Sequence, residues 1–148
     1  MILLSRTIRF NAGRSLWRPD WSEEKNRGVY GYEGPHGYGH NYELEVAVAG
    51  EIDPETSMVV NLTDLDRILK EEVDAPLDHR NLNRDVPAFA SKPPTAENLA
   101  VWIWERVAER LRRERWPCRL AHLKMRLTPE FAVEILADGA AAGGPSYD

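Results

Sequence analysis

An α+β fold in the order β-β-α-α-β-β is what this 148-residue chain predicts, and three observations carry it. "NYELEVAVAG" (41–50) alternates with the period of a half-buried strand, placing Tyr42, Leu44, Val46 and Val48 on one side and Glu43 and Glu45 on the other. "TAENLAVWIWERVAERLRRER" (95–115) repeats Leu99, Trp102, Ile103, Val107 and Leu111 at helical spacing. Shorter apolar runs around them, bounded by Gly, Pro, Asn and Asp, read as three further strands and one further helix. The expectation is an antiparallel four-stranded sheet with two helices on one face.

The elements follow in chain order. "LSRTIRFNA" (4–12) partly alternates and gives the first strand. Residues 13–37 mix Gly, Pro and aromatics without a period, and a connection of that length in a small domain is functional or mobile. After the second strand, "EIDPETS" is a turn and Met58 to Val60 restart a strand, making a hairpin. "NLTDLDRILKEEVD" (61–74) has Leu62, Leu65, Ile68 and Leu69 at helical spacing, with Asn61 or Thr63 as N-cap. "APLDHRNLNRDVPAFASKPP" is a loop. Thr95, after two prolines, caps the long helix, and Arg112, Arg113 and Arg115 suit its C-terminal dipole end. "CRLAHLKMRLTPEFAVEIL" (118–136) forms two strands around Thr128-Pro129. The ending "ADGAAAGGPSYD" (137–148) reads as a flexible tail, leaving one domain over 1–136.

Nineteen Lys plus Arg against 24 Asp plus Glu give a net charge of −5, which argues against a general nucleic-acid binder. The single cysteine, Cys118, excludes an intrachain disulfide framework and a Cys-rich metal cluster, and is expected to be a buried thiol. The N-terminal apolar run ends at Arg6, too short for a signal or membrane segment, so the expected location is cytoplasmic. Nucleic-acid and membrane partners are not expected.

"GPHGYGHNYELEV" (34–46) places His36 and His40 around Gly-Tyr-Gly, at a loop-to-strand junction. Positions 36, 38 and 40 share one face of an extended segment, so His36 and His40 could improvise a metal site with Tyr38 between them. A catalytic zinc takes about three protein ligands, which these residues do not supply.

Three strings occur in order: "GHNYELEVAVAGEIDPETSMVVNLTDL", "PLDHRNLN" and "PTAENLAVWIW". Together they resemble the 6-pyruvoyl-tetrahydropterin synthase and 6-carboxytetrahydropterin synthase family, from about Phe10 to Leu136. The resemblance implies the tunnelling fold, lyase chemistry on a pterin-like heterocycle, and a homo-oligomer, a hexamer before a trimer. It also implies a zinc held by three histidines. Here Arg14, in "FNAGR", and Tyr38 stand at two of those positions, and His40 alone remains. No cofactor is therefore expected, with zinc only at an improvised site. Arg14 reads either as a fixed charge in the metal's place, holding a substrate oxygen, or as a surface arginine.

The family's catalytic cysteine falls on Tyr32 or on Glu33, depending on the direction of counting, and Glu33 is favoured as the acid or base. Asp78 and His79 match the family's proton-relay pair, although Asp and His also fix loops by hydrogen bonds. Leu127 takes the place of the glutamate that anchors the pterin. Thr128 beside it joins Arg14, Thr95 and Glu97 as substrate-binding candidates. Three functions compete on these residues: a pterin-acting enzyme with a metal-independent site, a non-catalytic oligomeric scaffold, and an enzyme repurposed for another substrate.

Overall fold

The computed structural model describes residues 1–31 and 37–138. Two 13-residue strands, β1 (Ile2–Arg14) and β2 (Tyr38–Gly50), pair antiparallel in one unbroken register, from Ile2 opposite Gly50 to Arg14 opposite Tyr38. β4 (Arg119–Thr128) adds to the free side of β2, and β5 (Phe131–Leu136) adds to β4. These are the four antiparallel strands that the alternation predicts. A fifth, β3 (Arg80–Asn81), lies parallel to β1 at Ala12 and Gly13, giving the order β3-β1-β2-β4-β5. Two residues carry no readable period, so the expected strand count was one short.

Helices cover one face. α2 (Leu62–Leu69) runs through a π-helical turn, Lys70–Asp74, into α3 (Ala75–Leu77). α4 (Leu82–Asp85), a 3₁₀ turn (Pro87–Phe89) and the 18-residue α5 (Ala96–Arg113) follow. Asn61 caps α2 by accepting from the Thr63 amide at 2.9 Å, and Thr95 caps α5 by accepting from the Asn98 amide at 3.1 Å. Leu65, Ile68, Leu69, Leu99, Ile103 and Val107 are fully buried and share one core with Tyr42, Leu44, Val46 and Val48 of β2. The opposite sheet face is polar, with Arg9–Glu43 and Lys124–Glu134 pairs at 3.1 and 3.3 Å. The covering layer is thus α2 and α5 supplemented by short turns, where two helices alone were expected.

Two expectations are corrected. Met58 to Val60 form no strand. The Asp53 carboxylate accepts from the Glu55 and Thr56 amides at 2.7 and 3.0 Å, closing a tight loop. Val59 and Val60 are both buried, which a strand cannot do with adjacent residues facing one core. The connection 13–37 in turn contains a helix, α1 (Glu23–Tyr30), whose N-cap Ser22 accepts from the Lys25 amide at 3.1 Å, with Glu23 and Glu24 in its first turn.

α1 is pinned by Asn26, which is fully buried. Its Oδ1 accepts from the Arg18 amide at 2.8 Å, and its Nδ2 donates to the carbonyls of Arg18 and Ser22 at 2.9 and 3.1 Å. Asn26→Ala would strand these backbone groups, at a cost of about 1–3 kcal/mol. Urea unfolding should show that loss in midpoint without a change in slope, whereas Lys25→Ala on the exposed face should change the midpoint little.

Candidate active site

The outer edge of β1 near its C-terminal end is clasped by the 78–83 loop. The Asn11 amide donates to Asp78 Oδ1 at 2.9 Å, and the His79 amide donates to the Asn11 carbonyl at 2.6 Å. Asn83 then bonds Ser15 in both directions, at 2.7 and 3.0 Å. His79 adopts a left-handed backbone, φ 58°, to make this turn. With the backbone fixed, Asp78 Oδ2 lies 3.0 Å from His79 Nδ1, and the imidazole stands exposed on the surface. The Asn11 amide, and then His79, hold the Asp78 carboxyl below the usual carboxylate range. Asp78 therefore fixes the loop and orients His79 at once, where the sequence offered these as alternatives.

An open cleft of about 370 Å³ lies at this end of the sheet, lined by Asn11, Ala12, Gly13, Gly39, His40, Asn41, His79 and Arg80. Behind it, on the helix side, the β1–β2 register brings one stack of side chains together. Phe10 stacks on Tyr42 at 4.8 Å between ring centroids, His40 meets Tyr42 edge-on at 5.6 Å, and Tyr38 meets His40 at 5.1 Å. Arg14 completes the stack. It is 6% exposed, its Nη1 donates to the Pro94 carbonyl at 3.0 Å, and its Nη2 lies 3.4 Å from His40 Nε2. The guanidinium also sits 5.5 Å from the centre of the Tyr38 ring. Gly37 lets the chain entering β2 pass close to the Arg14 backbone: its φ is 75°, and a Cβ there would stand 3.1 Å from the Arg14 carbonyl oxygen.

Arg14 is thus a buried cation rather than a surface arginine. Its Nε and the Tyr42 hydroxyl are buried with no hydrogen-bond partner. Burial pushes the Tyr42 phenol up, partly offset by the Arg14 charge.

The other expected residues divide by place. Thr95 adjoins Pro94 and spends its hydroxyl on the α5 cap. Glu97 is exposed on the first turn of the same helix. Thr128 is exposed at the end of β4, accepting from the Glu130 amide at 3.3 Å, while Leu127 turns into the core at 6% exposure. Tyr32, Glu33 and His36 lie outside the described residues. Cys118 is half-buried, and burial pushes its thiol up to about 11, as suits a packed sulfhydryl rather than a nucleophile. The Pro94 carbonyl was not singled out from sequence, being 80 residues from Arg14. Nor was Asp74, whose buried Oδ1 has no partner and whose carboxyl is raised by burial and then by Asp78.

Comparison with known proteins settles the family. The profile described as 6-pyruvoyl tetrahydropterin synthase matches residues 3–136. The chain belongs to the 6-pyruvoyl tetrahydropterin synthase family. It is 49% identical to the 6-pyruvoyl tetrahydrobiopterin synthase of Poecilia reticulata over 109 residues, covering 73% of this chain and 74% of that one. It is 48% identical to the Homo sapiens enzyme of the same name over 103 residues, covering 69% and 71%. The 6-pyruvoyl tetrahydropterin synthase structure from Caenorhabditis elegans superposes with a TM-score of 0.82 at 28% identity, covering 92% and 95%.

The residues at this family member's three histidine positions do not fit a zinc ion. Arg14 only donates, carries a positive charge, and directs Nη2 at the His40 nitrogen that a metal would need. Two unit charges 4 Å apart repel by about 4 kcal/mol at an effective dielectric of 20, so a divalent ion beside the guanidinium costs more than that. Among the described residues no three His, Cys, Asp or Glu side chains are grouped to hold a metal. Purified protein is expected to carry no stoichiometric zinc, whereas the double variant Arg14→His with Tyr38→His, presenting three histidines, should bind about one zinc per chain. Elemental analysis of both proteins checks this, and one zinc per wild-type chain would refute it.

Proposed function

We propose that this chain is a 6-pyruvoyl-tetrahydropterin synthase-type lyase acting on a pterin-like substrate through a metal-independent site. The observation that carries the reading is the Asp78–His79 pair, 3.0 Å apart, locked to β1 and facing the cleft. Asp78 accepts from Nδ1, which leaves Nε2 of His79 as the nitrogen that takes or gives a proton. A carboxylate in this role orients the imidazole and stabilises its charged form. The partner acid or base is Glu33, with Tyr32 as the alternative, since both precede the strand that forms the cleft's other wall. A heterocycle in the cleft would meet Asn11 and Asn41 and the backbone of Gly13 and Gly39, where side chains are absent or small. Thr95, Glu97 and Thr128 belong to this proposal as groups at the same end of the sheet.

Leu127 favours a second reading of the substrate. An apolar side chain cannot pair with a pterin's amino and ring N–H groups, so a heterocycle lacking that donor edge would lose nothing there.

The assembly belongs to the same proposal. The outer edge of β1 is paired only at Ala12 and Gly13, and the outer edge of β5 is unpaired among the described residues. Ile2, Leu3, Phe131 and Leu136 are exposed along these edges. Edge-to-edge pairing into a ring, doubled to a hexamer, would cover both. Among the described residues no helix is long and apolar enough to cross a membrane. A cytoplasmic site of action belongs to the same proposal.

The test incubates the protein with dihydroneopterin triphosphate and follows oxidised pterin products by fluorescence. Turnover is expected to survive a chelator and to fall about 10²–10⁴-fold in His79→Ala, the usual worth of a positioned general acid or base. The pyruvoyl product is expected to be minor, since Arg14 and Tyr38 do not supply the ligands that a zinc-assisted step would need. Robust turnover to the pyruvoyl product, abolished by chelation, would overturn the metal-independent site. Absence of any pterin product would favour the second reading or a scaffold.

A further inference from the structure

Arg14 holds a permanent positive charge at 6% exposure and forms no ion pair with any described carboxylate. Among the described residues the groups that face it are the Pro94 carbonyl, His40 Nε2 and the Tyr38 ring, none of them a carboxylate. Two polar atoms in the same cluster stand without partners, Arg14 Nε and the hydroxyl of the fully buried Tyr42. Buried polar groups in folded proteins are hydrogen-bonded as a rule, so two orphans in one side-chain stack mark a place where something else binds. The sign of that ligand is set twice. The guanidinium is one positive source, and the N-terminus of the 18-residue α5, which begins beside Pro94, is a second. The described groups nearest the guanidinium supply no negative charge. His40 is one of the residues lining the cleft, and its Nε2 lies 3.4 Å from Arg14 Nη2.

Resting on the pterin reading above, we infer that Arg14 and Tyr42 form the receptor for a carboxylate on the substrate's side chain, entered past His40. The guanidinium fork matches a carboxylate's two oxygens, and the phenol donates a further hydrogen bond. The preferred substrate class is therefore a heterocycle bearing an anionic side chain, over one bearing a neutral hydroxylated chain. A free small carboxylate has the same chemistry and occupies the same place.

The experiment titrates the full-length protein with pterin-6-carboxylate and with 6-hydroxymethylpterin, reading pterin fluorescence, and separately with 13C-labelled formate, reading its NMR line width. Wild type should bind the carboxylate at least about tenfold more tightly than the neutral pterin, and formate should compete with the carboxylate alone. In Arg14→Gln the preference should fall to within about twofold, and in Tyr42→Phe, which keeps the packing, it should fall several-fold. Equal binding of the two pterins by wild type, or an undiminished preference in a folded Arg14→Gln protein, would overturn the inference. If neither pterin binds, formate decides. Broadening by wild type that is lost in Arg14→Gln upholds the carboxylate receptor while the pterin reading fails, and no broadening overturns the receptor too.

Discussion

The site depends on one constraint, the unbroken antiparallel register between β1 and β2. With Ile2 fixed opposite Gly50, Phe10, Ala12 and Arg14 fall opposite Tyr42, His40 and Tyr38. Side chains in a strand alternate, so these six share the helix side of the sheet, and a slip of one residue would send the whole set to the polar face. The inner part of the ladder is secured by the core, where Tyr42, Leu44, Val46 and Val48 pack under α2 and α5. The outer part inherits that precision. Arg14 is buried because the register puts it there, not because its charge favours the position.

That placement sets the electrostatics of the whole end of the sheet. A buried guanidinium with no counter-ion among the described residues is unfavourable, and its removal from water is only partly offset by the Pro94 carbonyl, the Tyr38 face and His40. It also engages Nε2 of His40. The Asp78–His79 pair is independent of this change. It is held through the backbone of Asn11 and by Asn83 on Ser15, contacts that no metal mediates. The Asp78–His79 geometry and the Arg14 cluster are therefore held by separate sets of contacts.

Much of this was legible in the sequence, for physical reasons. The period-2 run over 42–48 and the period-3.6 run over 99–111 each bury one face, so the sheet, α2 and α5 could be placed before any coordinates. Asn61 and Thr95 announced their caps. Short elements were less legible: α1 has no apolar stripe, although Ser22 followed by Glu23 and Glu24 was a usable start signal. β3 is defined only by its partner, and Val59-Val60 resembled a strand because two adjacent buried valines satisfy a composition test while failing the alternation. In the site, the departures of Arg14, Tyr38 and Leu127 from the pattern that the resemblance implies were plain. Their consequence was not, because burial of Arg14 turns on the Pro94 carbonyl, and the dual task of Asp78 turns on the Asn11 amide, 67 residues away.

The central claim is that Arg14 and His40 form a pair where the family would bind a metal. Nitrogen NMR of the His40 ring in 15N-labelled protein tests it most directly. If Arg14 donates to Nε2, the neutral imidazole carries its proton on Nδ1, and adding equimolar zinc leaves both ring nitrogens unmoved. A ring protonated on Nε2, or a zinc-induced shift of that nitrogen in the wild-type protein, would contradict the account.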